Sequence, residues 1–266
     1  MTADTYLLRP GTSAVLISLP HVGTRITPDQ QNRYVPRALD VEDTDWHLDQ
    51  LYDFATDMGA GLIVPQYSRF LIDLNRAPDN RPMYAGTNNT ELCPTRFFTG
   101  EPIYREGQEP DANEIARRRA TYWQPYHEAL AQELARLKEQ HGHAILFDGH
   151  SIKSTLPWLF AGKLPDLNLG TSSGTSCAAD LRAALSQVLQ TQTRFTQVTA
   201  GRFKGGHITR SHGQPAQALH AIQLEMCWST YMPEAAPYRV DPARATELVP
   251  VLRALVQTMI DWRPHA

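Results

Sequence analysis

Ala144-Ile145-Leu146-Phe147-Asp148-Gly149-His150-Ser151 joins a short apolar run to a histidine and a serine. An apolar run of this length, bounded by polar residues or glycine, is typical of a strand that is buried on both faces of a parallel sheet. Similar runs cover residues 14–19, 70–74 and 219–224. We therefore predict buried strands at these places and at 144–147.

Helical patterns separate these runs along the chain. In residues 43–58 the apolar side chains recur at the spacing of one helix face, and Gly59 is placed to end the helix. Residues 111–140 predict a helix with a break near Pro125, and residues 176–191 and 241–262 also have helical spacing. Strands that alternate with helices indicate an α/β protein with a mainly parallel sheet.

The length of 266 residues suits one sizeable hydrophobic core, and we predict a single domain over residues 1–266. Two stretches, 77–110 and 151–175, contain Pro, Gly, Asn, Ser and Thr together with several aromatic residues. Segments of this length without regular structure are usually functional in a compact domain. We expect them to be active-site loops.

Composition excludes several classes of protein. A formal net charge of -3 gives no basic field for a nucleic acid or an anionic membrane. The three cysteines show no CxxC spacing, which excludes a disulfide framework and a thiolate zinc site. Residues 1–20 have neither a basic opening nor a long apolar run. We expect a cytoplasmic protein without a nucleic-acid or membrane partner, and the sequence predicts no particular oligomeric state.

Chemically active residues follow three of the predicted strands. His21 comes after the first run, His150 after the third and Glu225 after the fourth. Ligands of open parallel sheets bind beyond the carboxyl ends of the strands, so these side chains are expected to converge. Two imidazoles and a carboxylate form a catalytic zinc set with one open position.

The third ligand is open at this point. Candidates follow the first strand and lie at the start of the 43–58 helix: Glu42, Asp43, Asp45 and His47. The competing interpretation is structural, because acidic residues at a helix start also cap free N–H groups, and buried histidines are often simply hydrogen-bonded. Glu225 has two interpretations as well, a structurally paired carboxylate or a general base for a metal-activated water.

Cationic residues occur near these strand ends. Arg69 and Arg76 flank the predicted strand at 70–74 and cannot share one face of a straight strand. One is expected to pair with Asp73 or a neighbouring acid, and the other to bind a substrate carboxylate. Residues 201–213 combine glycines, cations and histidines, and either close over an acidic substrate or form a solvated loop. The chain contains no H-E-x-x-H motif.

The residues resemble the N-formylglutamate amidohydrolase (N-formylglutamate deformylase) family over nearly the whole chain. That family is distantly similar to zinc carboxypeptidases and aspartoacylases. The resemblance rests on the segments LPHVG at 19–23, DTDWH at 43–47, SRFLIDLNR at 68–76, FDGHS at 147–151, GGHITR at 205–210 and QLEM at 223–226.

The resemblance implies a phosphorylase/hydrolase-like α/β fold with a mostly parallel mixed sheet and one Zn²⁺ per chain, although another divalent metal also suits such ligands. His21 and His150 match the two histidine ligands of the distant relatives. Thr24 stands where their H-x-x-E motif has its glutamate. The amidohydrolase pattern implies Asp45 as the replacement, with His47 as the alternative ligand.

The implied reaction is the hydrolysis of N-formyl-L-glutamate to formate and L-glutamate in histidine degradation. Glu225 is the implied general base and acid, and Arg69 stabilises the oxyanion. The residues implied to bind the substrate are Arg69, Asn75, Arg76, His207 and Arg210. Alternatives are another small-molecule N-acyl or N-formimidoyl acidic amino acid as the substrate, or a metal-binding protein without turnover.

Overall fold

A computed structural model describes residues 5–83 and 88–264. Seven strands form one sheet in the order β1-β3-β2-β4-β7-β5-β6. Their bounds are β1 Tyr6–Arg9, β2 Val15–Ser18, β3 Gly61–Pro65, β4 Ala144–Ile152, β5 Leu167–Gly170, β6 Gln197–Thr199 and β7 Leu219–Cys227. Strands β3, β2, β4 and β7 are parallel neighbours, whereas β1 pairs antiparallel with β3, and β5 pairs antiparallel with β7. The predicted mostly parallel mixed sheet is confirmed.

Helices flank this sheet. The α-helices are α1 Pro28–Gln31, α2 Leu48–Leu51, α3 Phe54–Asp57, α4 Ala112–Arg118, α5 Gln124–His141, α6 Ala179–Thr191, α7 His207–His212 and α8 Pro242–Asp261. Short 3₁₀ turns cover Pro36–Asp40, Ser172–Gly174, Pro215–Gln217 and Trp228–Thr230. Among the described residues, no helix combines the length and the hydropathy that crossing a membrane requires.

The apolar runs at 14–19, 144–147 and 219–224 form β2, β4 and β7, and the last two strands extend farther than predicted. Successive side chains alternate between two cores, as a strand requires. Ile145 and Phe147 pack into the core that includes α6 and α8, whereas Ala144 and Leu146 pack into the core that includes α5. Burial of both faces explains why these runs are continuously apolar.

The predicted strand at 70–74 is wrong, because residues 70–74 form buried turns and the neighbouring strand is β3. Local side chains replace the ladder of backbone hydrogen bonds in this segment. Ser68 Oγ accepts a bond from the Phe70 N–H, and Asp73 Oδ1 accepts one from the Asn75 N–H. Serine and aspartate compete with regular structure in this way.

The single helix predicted for 43–58 is also wrong, because the chain forms turns up to His47 and then the short helices α2 and α3. His47 has a left-handed backbone with φ of 61°. The apolar face was identified correctly, since Leu48, Leu51 and Tyr52 are buried. The helix at 111–140 is confirmed: a π-helical turn at 119–123 separates α4 from α5, and Pro125 lies in the first turn of α5, where its missing N–H is tolerated. Residues 176–191 and 241–262 correspond to α6 and α8.

The two predicted loops differ in outcome. Within the described part of 77–110 there is neither a helix nor a strand, and residues 84–87 lie outside the described residues. The loop predicted for 151–175 is wrong in part, because it contains β5, a buried four-residue strand that pairs with β7. Asn88 Nδ2 donates a 2.7 Å hydrogen bond to the Trp158 carbonyl, which joins the two segments.

Candidate metal centre and active site

The candidate ligands come from three places at the carboxyl edge of the sheet. His21 follows β2, Asp45 lies in the turn before α2, and His150 lies near the end of β4. The Asp45 N–H donates a 3.0 Å hydrogen bond to the His21 carbonyl, which joins the first two segments. The Ser151 N–H donates a 3.1 Å bond to Asp45 Oδ2 and joins the same carboxylate to β4.

The three side chains converge on one point. The Nδ1 atoms of His21 and His150 are 3.2 Å apart, and Asp45 Oδ2 lies 3.5 Å and 3.3 Å from them. All three residues are buried, at 3%, 3% and 1% exposure for His21, His150 and Asp45. Within residues 5–83 and 88–264, this is the one group of three potential ligands whose donor atoms lie within 4.8 Å of one another.

The other candidates for a third ligand have partners elsewhere. Both carboxylate oxygens of Glu42 accept hydrogen bonds from Arg37. Asp43 Oδ2 accepts a 2.9 Å bond from the Phe98 N–H, and His47 Nε2 lies 2.6 Å from the Tyr238 carbonyl. The geometry therefore singles out Asp45 from the acidic cluster.

Two aspartates orient the imidazoles from behind. Asp73 Oδ1 lies 2.7 Å from His21 Nε2, and Asp148 Oδ2 lies 3.0 Å from His150 Nε2. A carboxylate at Nε2 favours the tautomer that carries its proton there, because Nε2–H then donates a hydrogen bond to it, and this tautomer leaves the Nδ1 lone pair for the cluster. Carboxylates hold metal-binding histidines in this arrangement.

The cluster is chemically suited to a cation. With both Nε2 atoms protonated, two lone pairs and a carboxylate oxygen face one another at hydrogen-bond distance, and a positive charge is needed between them. Burial opposes the charged form of His150, but Asp148 and Asp45 raise the pKa of His150 well above its usual range. Burial also disfavours ionised Asp45, yet the two histidines lower the pKa of Asp45. A divalent metal satisfies the same demand, and two imidazoles with one carboxylate leave a zinc ion an open position.

Glu225 lies beside this cluster. In the parallel register of β4 and β7 its Cα is opposite that of His150, so both side chains emerge on the same face of the sheet. Gln223 Nε2 donates a 3.2 Å hydrogen bond to Glu225 Oε2. Burial raises the pKa of Glu225 to about 8, with Asp45 adding to the effect and His150 opposing it.

Arg69 and Arg76 both contact Asp73, since the segment that carries them is folded into turns. Arg69 Nη2 donates a 2.6 Å bond to Asp73 Oδ2, and Arg69 Nη1 lies 3.6 Å from Asp45 Oδ1. Arg76 Nη1 lies 3.6 Å from Asp73 Oδ2. Both arginines therefore contact one carboxylate, and the expected contact of one of them with a substrate carboxylate stays a prediction.

One cavity exposes most of the predicted site residues: His21, Asp45, Arg69, Asn75, Arg76, His150 and Glu225. Asn75 Nδ2 lies 3.0 Å from His150 Nε2, and Asn75 Oδ1 accepts a 2.8 Å bond from the Ile208 N–H. His207 and Arg210 lie on an adjoining cavity, and Arg76 and Met83 line both.

Sequence reasoning missed the roles of three polar residues of this region. Asp148 supports His150, Asp73 supports His21 in addition to binding arginine, and Gln223 lines the cavity. Arg202, from the 201–213 segment, also lines the cavity. Asp148 was detectable in principle, because residues two apart in a strand share a face. The position of Arg202 had no such signal, since it depends on how a long connection folds back.

The chain is similar to proteins of one family. The family model for N-formylglutamate amidohydrolase matches residues 13–232. A Pseudomonas aeruginosa protein named N-formylglutamate deformylase is 49% identical over 95% of this chain and 94% of its own length. A Pseudomonas putida protein of the same name is 48% identical over the same shares.

Solved structures show the same fold. The crystal structure of an N-formylglutamate amidohydrolase from Ralstonia eutropha superposes with a TM-score of 0.79 at 21% identity, covering 97% of this chain and 96% of that one. An Agrobacterium tumefaciens protein superposes with a TM-score of 0.72 at 14% identity, covering 97% and 95%. From the family match and the two deformylases, the chain belongs to the N-formylglutamate amidohydrolase family.

Proposed function

We propose that the protein hydrolyses N-formyl-L-glutamate to formate and L-glutamate, with one zinc ion held by His21, Asp45 and His150. The convergence of these three buried donor atoms beside Glu225 carries the proposal. The names of the two Pseudomonas relatives support the substrate. As the resemblance implies, we assign the reaction to histidine degradation, and from the composition we place it in the cytoplasm.

A zinc ion at this site would supply Lewis-acid chemistry, polarising a carbonyl group and lowering the pKa of water. The protein's own contribution to proton transfer is Glu225. Its pKa of about 8 lies close to neutrality, where a carboxylate can both accept and return a proton. Glu225 takes a proton from the attacking water and delivers it to the departing amine nitrogen.

Arg69 stabilises the negative charge that develops on the formyl oxygen. Its guanidinium is 6% exposed, is fixed by Asp73 and faces Asp45, and it rests 4.6 Å from the centroid of the Phe98 ring. A buried, pre-oriented cation needs little rearrangement during the reaction. Burial opposes the charge, but Asp73 and Asp45 raise the pKa of Arg69, which keeps it protonated.

The substrate is a dianion, and Arg69, Asn75 and Arg76 are the polar groups that bind it at the metal end of the cavity. Arg76 is held by a 3.0 Å bond from its Nε to the Thr90 carbonyl. His207 and Arg210 contribute from the adjoining cavity, which Arg76 connects to the first.

The test is formate release by zinc-loaded protein from N-formyl-L-glutamate, with N-acetyl-L-glutamate and N-formimidoyl-L-glutamate assayed in parallel. We expect preferential release of formate that a chelator abolishes and added zinc restores. Preferential turnover of one of the other compounds would identify that compound as the substrate instead. Failure to turn over any of the three with zinc bound would refute the proposed activity.

The metal ligands are tested by zinc analysis. Wild-type protein should contain about one zinc per chain, as three protein ligands imply. His21→Ala should remove it, whereas His220→Asn should retain it, because His220 is also buried but lies outside the cluster. Full zinc occupancy in His21→Ala would exclude His21 as a ligand.

A further inference from the structure

One wall of the cavity is mainly apolar. Leu159, Phe160 and Phe203 form it, and one cation, Arg202, lies among them. Leu159 and Phe160 belong to the segment between β4 and β5, whereas Arg202 and Phe203 belong to the segment between β6 and α7. Two separate connections therefore build this part of the cavity.

The Arg202 guanidinium is held in place by this wall. Its Nη2 donates a 2.5 Å hydrogen bond to the Leu159 carbonyl. Its central carbon lies 5.1 Å from the centroid of the Phe160 ring and 5.9 Å from that of Phe203. Contact with aromatic faces holds a guanidinium in place, and apolar neighbours reduce the screening of its charge.

The backbone that carries Arg202 is tied to the floor of the cavity. The Ala200 N–H donates a 2.8 Å bond to the Leu169 carbonyl in β5. At the other end, the Gly206 N–H donates a 2.7 Å bond to Gln223 Oε1, and Gln223 also donates to Glu225. The position of Arg202 is thus set relative to the general base.

The cavity holds its cations in two places. Arg69 and Arg76 both contact Asp73, which in turn holds His21, so these two arginines lie at the metal end. Arg202 follows β6, which forms one edge of the sheet. Arg69 and Arg76 follow β3, which lies next to the other edge. In N-formyl-L-glutamate the α-carboxylate adjoins the reacting amide, and the side-chain carboxylate lies two methylene groups farther away.

The geometry points to Arg202 as the residue that binds the side-chain carboxylate and thereby selects an acidic N-acyl amino acid over a neutral one. This inference rests on the proposed function for the class of substrate. Guanidinium and carboxylate form strong, directional hydrogen bonds, and a neutral amide in the same place forms weaker ones. Arg202 is therefore a specificity-determining residue, while Arg69 and Arg76 serve the end of the substrate that reacts.

The test compares N-formyl-L-glutamate with N-formyl-L-glutamine, whose side chain is neutral, in wild-type protein and in Arg202→Met. We expect KM for N-formyl-L-glutamate to rise about tenfold or more, the size of a lost charge-assisted contact, with kcat changed much less. KM for N-formyl-L-glutamine should be nearly unchanged. Equal changes for both substrates, or no change for either, would overturn the assignment.

Two further variants control for structural effects. Arg253→Met removes an arginine that also lies over a phenylalanine ring, 4.4 Å from the centroid of Phe54, but outside the cavity, and should leave both KM values unchanged. Arg202→Lys retains the charge and should restore part of the preference for N-formyl-L-glutamate. If Arg202→Met does not fold, a reduced preference for N-formyl-L-glutamate in folded Arg202→Lys supports the assignment, and an unaltered preference overturns it.

Binding of the products separates the two proposals. Calorimetric titration of zinc-loaded protein with L-glutamate and L-glutamine requires no turnover. If the wild-type protein fails to release formate but prefers L-glutamate, and Arg202→Met loses that preference, the proposed reaction fails and the role of Arg202 stands. If formate is released and the preference survives in Arg202→Met, the reaction stands and the inference fails.

Discussion

His21 Nε2 lies 2.7 Å from Asp73 Oδ1, and both side chains are almost completely buried. The other oxygen of this carboxylate accepts a bond from Arg69 and lies 3.6 Å from Arg76. Burial disfavours the charged form, but the two arginines and His21 lower the pKa of Asp73 well below its usual range. One ionised carboxylate therefore orients a proposed metal ligand and positions two cations.

Replacing Asp73 by asparagine tests this connection. The substitution keeps the shape of the side chain but removes its charge, so His21 Nε2 faces a neutral amide, which accepts more weakly through its oxygen and no longer fixes the tautomer by its charge. We expect the affinity for zinc to fall about 10–100-fold, measured by competition with a chromogenic chelator. Asp53→Asn, which removes an exposed partner of Arg9, is the matched control and should leave zinc affinity unchanged. Equal affinities in wild type and Asp73→Asn would refute the role of Asp73.

Glu225→Gln separates proton transfer from metal binding. Glutamine has the same size but cannot accept the proton, so kcat should fall about 10²–10⁴-fold, the usual contribution of a general base. Zinc content should remain at the wild-type value, because Glu225 is not among the converging ligand atoms. Glu247→Gln, at an exposed ion pair with Arg194, provides the control. Retention of wild-type kcat in Glu225→Gln would remove this residue from the mechanism.

Buried His220, which is not among the proposed metal ligands, makes the free energy of unfolding depend on pH. It is 4% exposed, its Nδ1 accepts a 3.2 Å bond from the Ala178 N–H, and its ring meets the edge of Trp262. Burial lowers the pKa of His220 to about 4, with His143 adding to the effect and Asp180 opposing it.

A histidine with a lowered folded-state pKa favours the unfolded chain as the pH falls, because the unfolded chain takes up the proton first. The stabilisation that neutral His220 gives the folded protein is fully present above about pH 6.5, which is the pKa of a histidine in the unfolded chain. It is lost as the pH falls toward 4, the pKa of His220 in the folded protein. In metal-free protein, His220→Asn should reduce the loss of unfolding free energy between pH 7 and pH 5 by about 1–2 kcal/mol, measured with urea. An identical pH dependence in both proteins would contradict this account.

The sequence was sufficient to predict the part of the site that the ends of the strands position. His21, His150 and Glu225 follow or end apolar runs, and parallel strands bring their carboxyl ends to one edge. No knowledge of the intervening loops was needed for that step. The choice of Asp45 among its acidic neighbours came from the family resemblance, and the structure gives the physical reason, because Glu42 and Asp43 are held by Arg37 and Phe98.

Residues 66–78 mark the limit of such reasoning. Their apolar run has the composition of a strand, but its backbone N–H groups donate hydrogen bonds to the side chains of Ser68 and Asp73 and to the Leu92 carbonyl, not to a neighbouring strand. The contact with Leu92 depends on a distant loop and has no local signal. Arg202 illustrates the same limit, since its place in the cavity follows from bonds to Leu159 and from the path between β6 and α7.

The two cavities make a prediction about the relative importance of Arg76 and Arg210. Arg76 is largely buried and lines the same cavity as His21, whereas Arg210 is exposed, lies on the adjoining cavity and has its Nη1 3.4 Å from the Met83 carbonyl. A buried cation interacts with a substrate carboxylate at low effective dielectric, whereas the charge of an exposed one is screened by water and salt.

Arg76→Met should therefore raise KM for N-formyl-L-glutamate about tenfold or more, and Arg210→Met only about two- to threefold. Steady-state kinetics at low and high ionic strength distinguish the two mechanisms. The effect of Arg210→Met should disappear in about 0.5 M salt, because an exposed charge acts at a distance, and that of Arg76→Met should persist. Zinc content must be equal in all samples, since Arg76 lies near the carboxylate that holds His21. A larger, salt-resistant effect for Arg210 would place the substrate in the adjoining cavity.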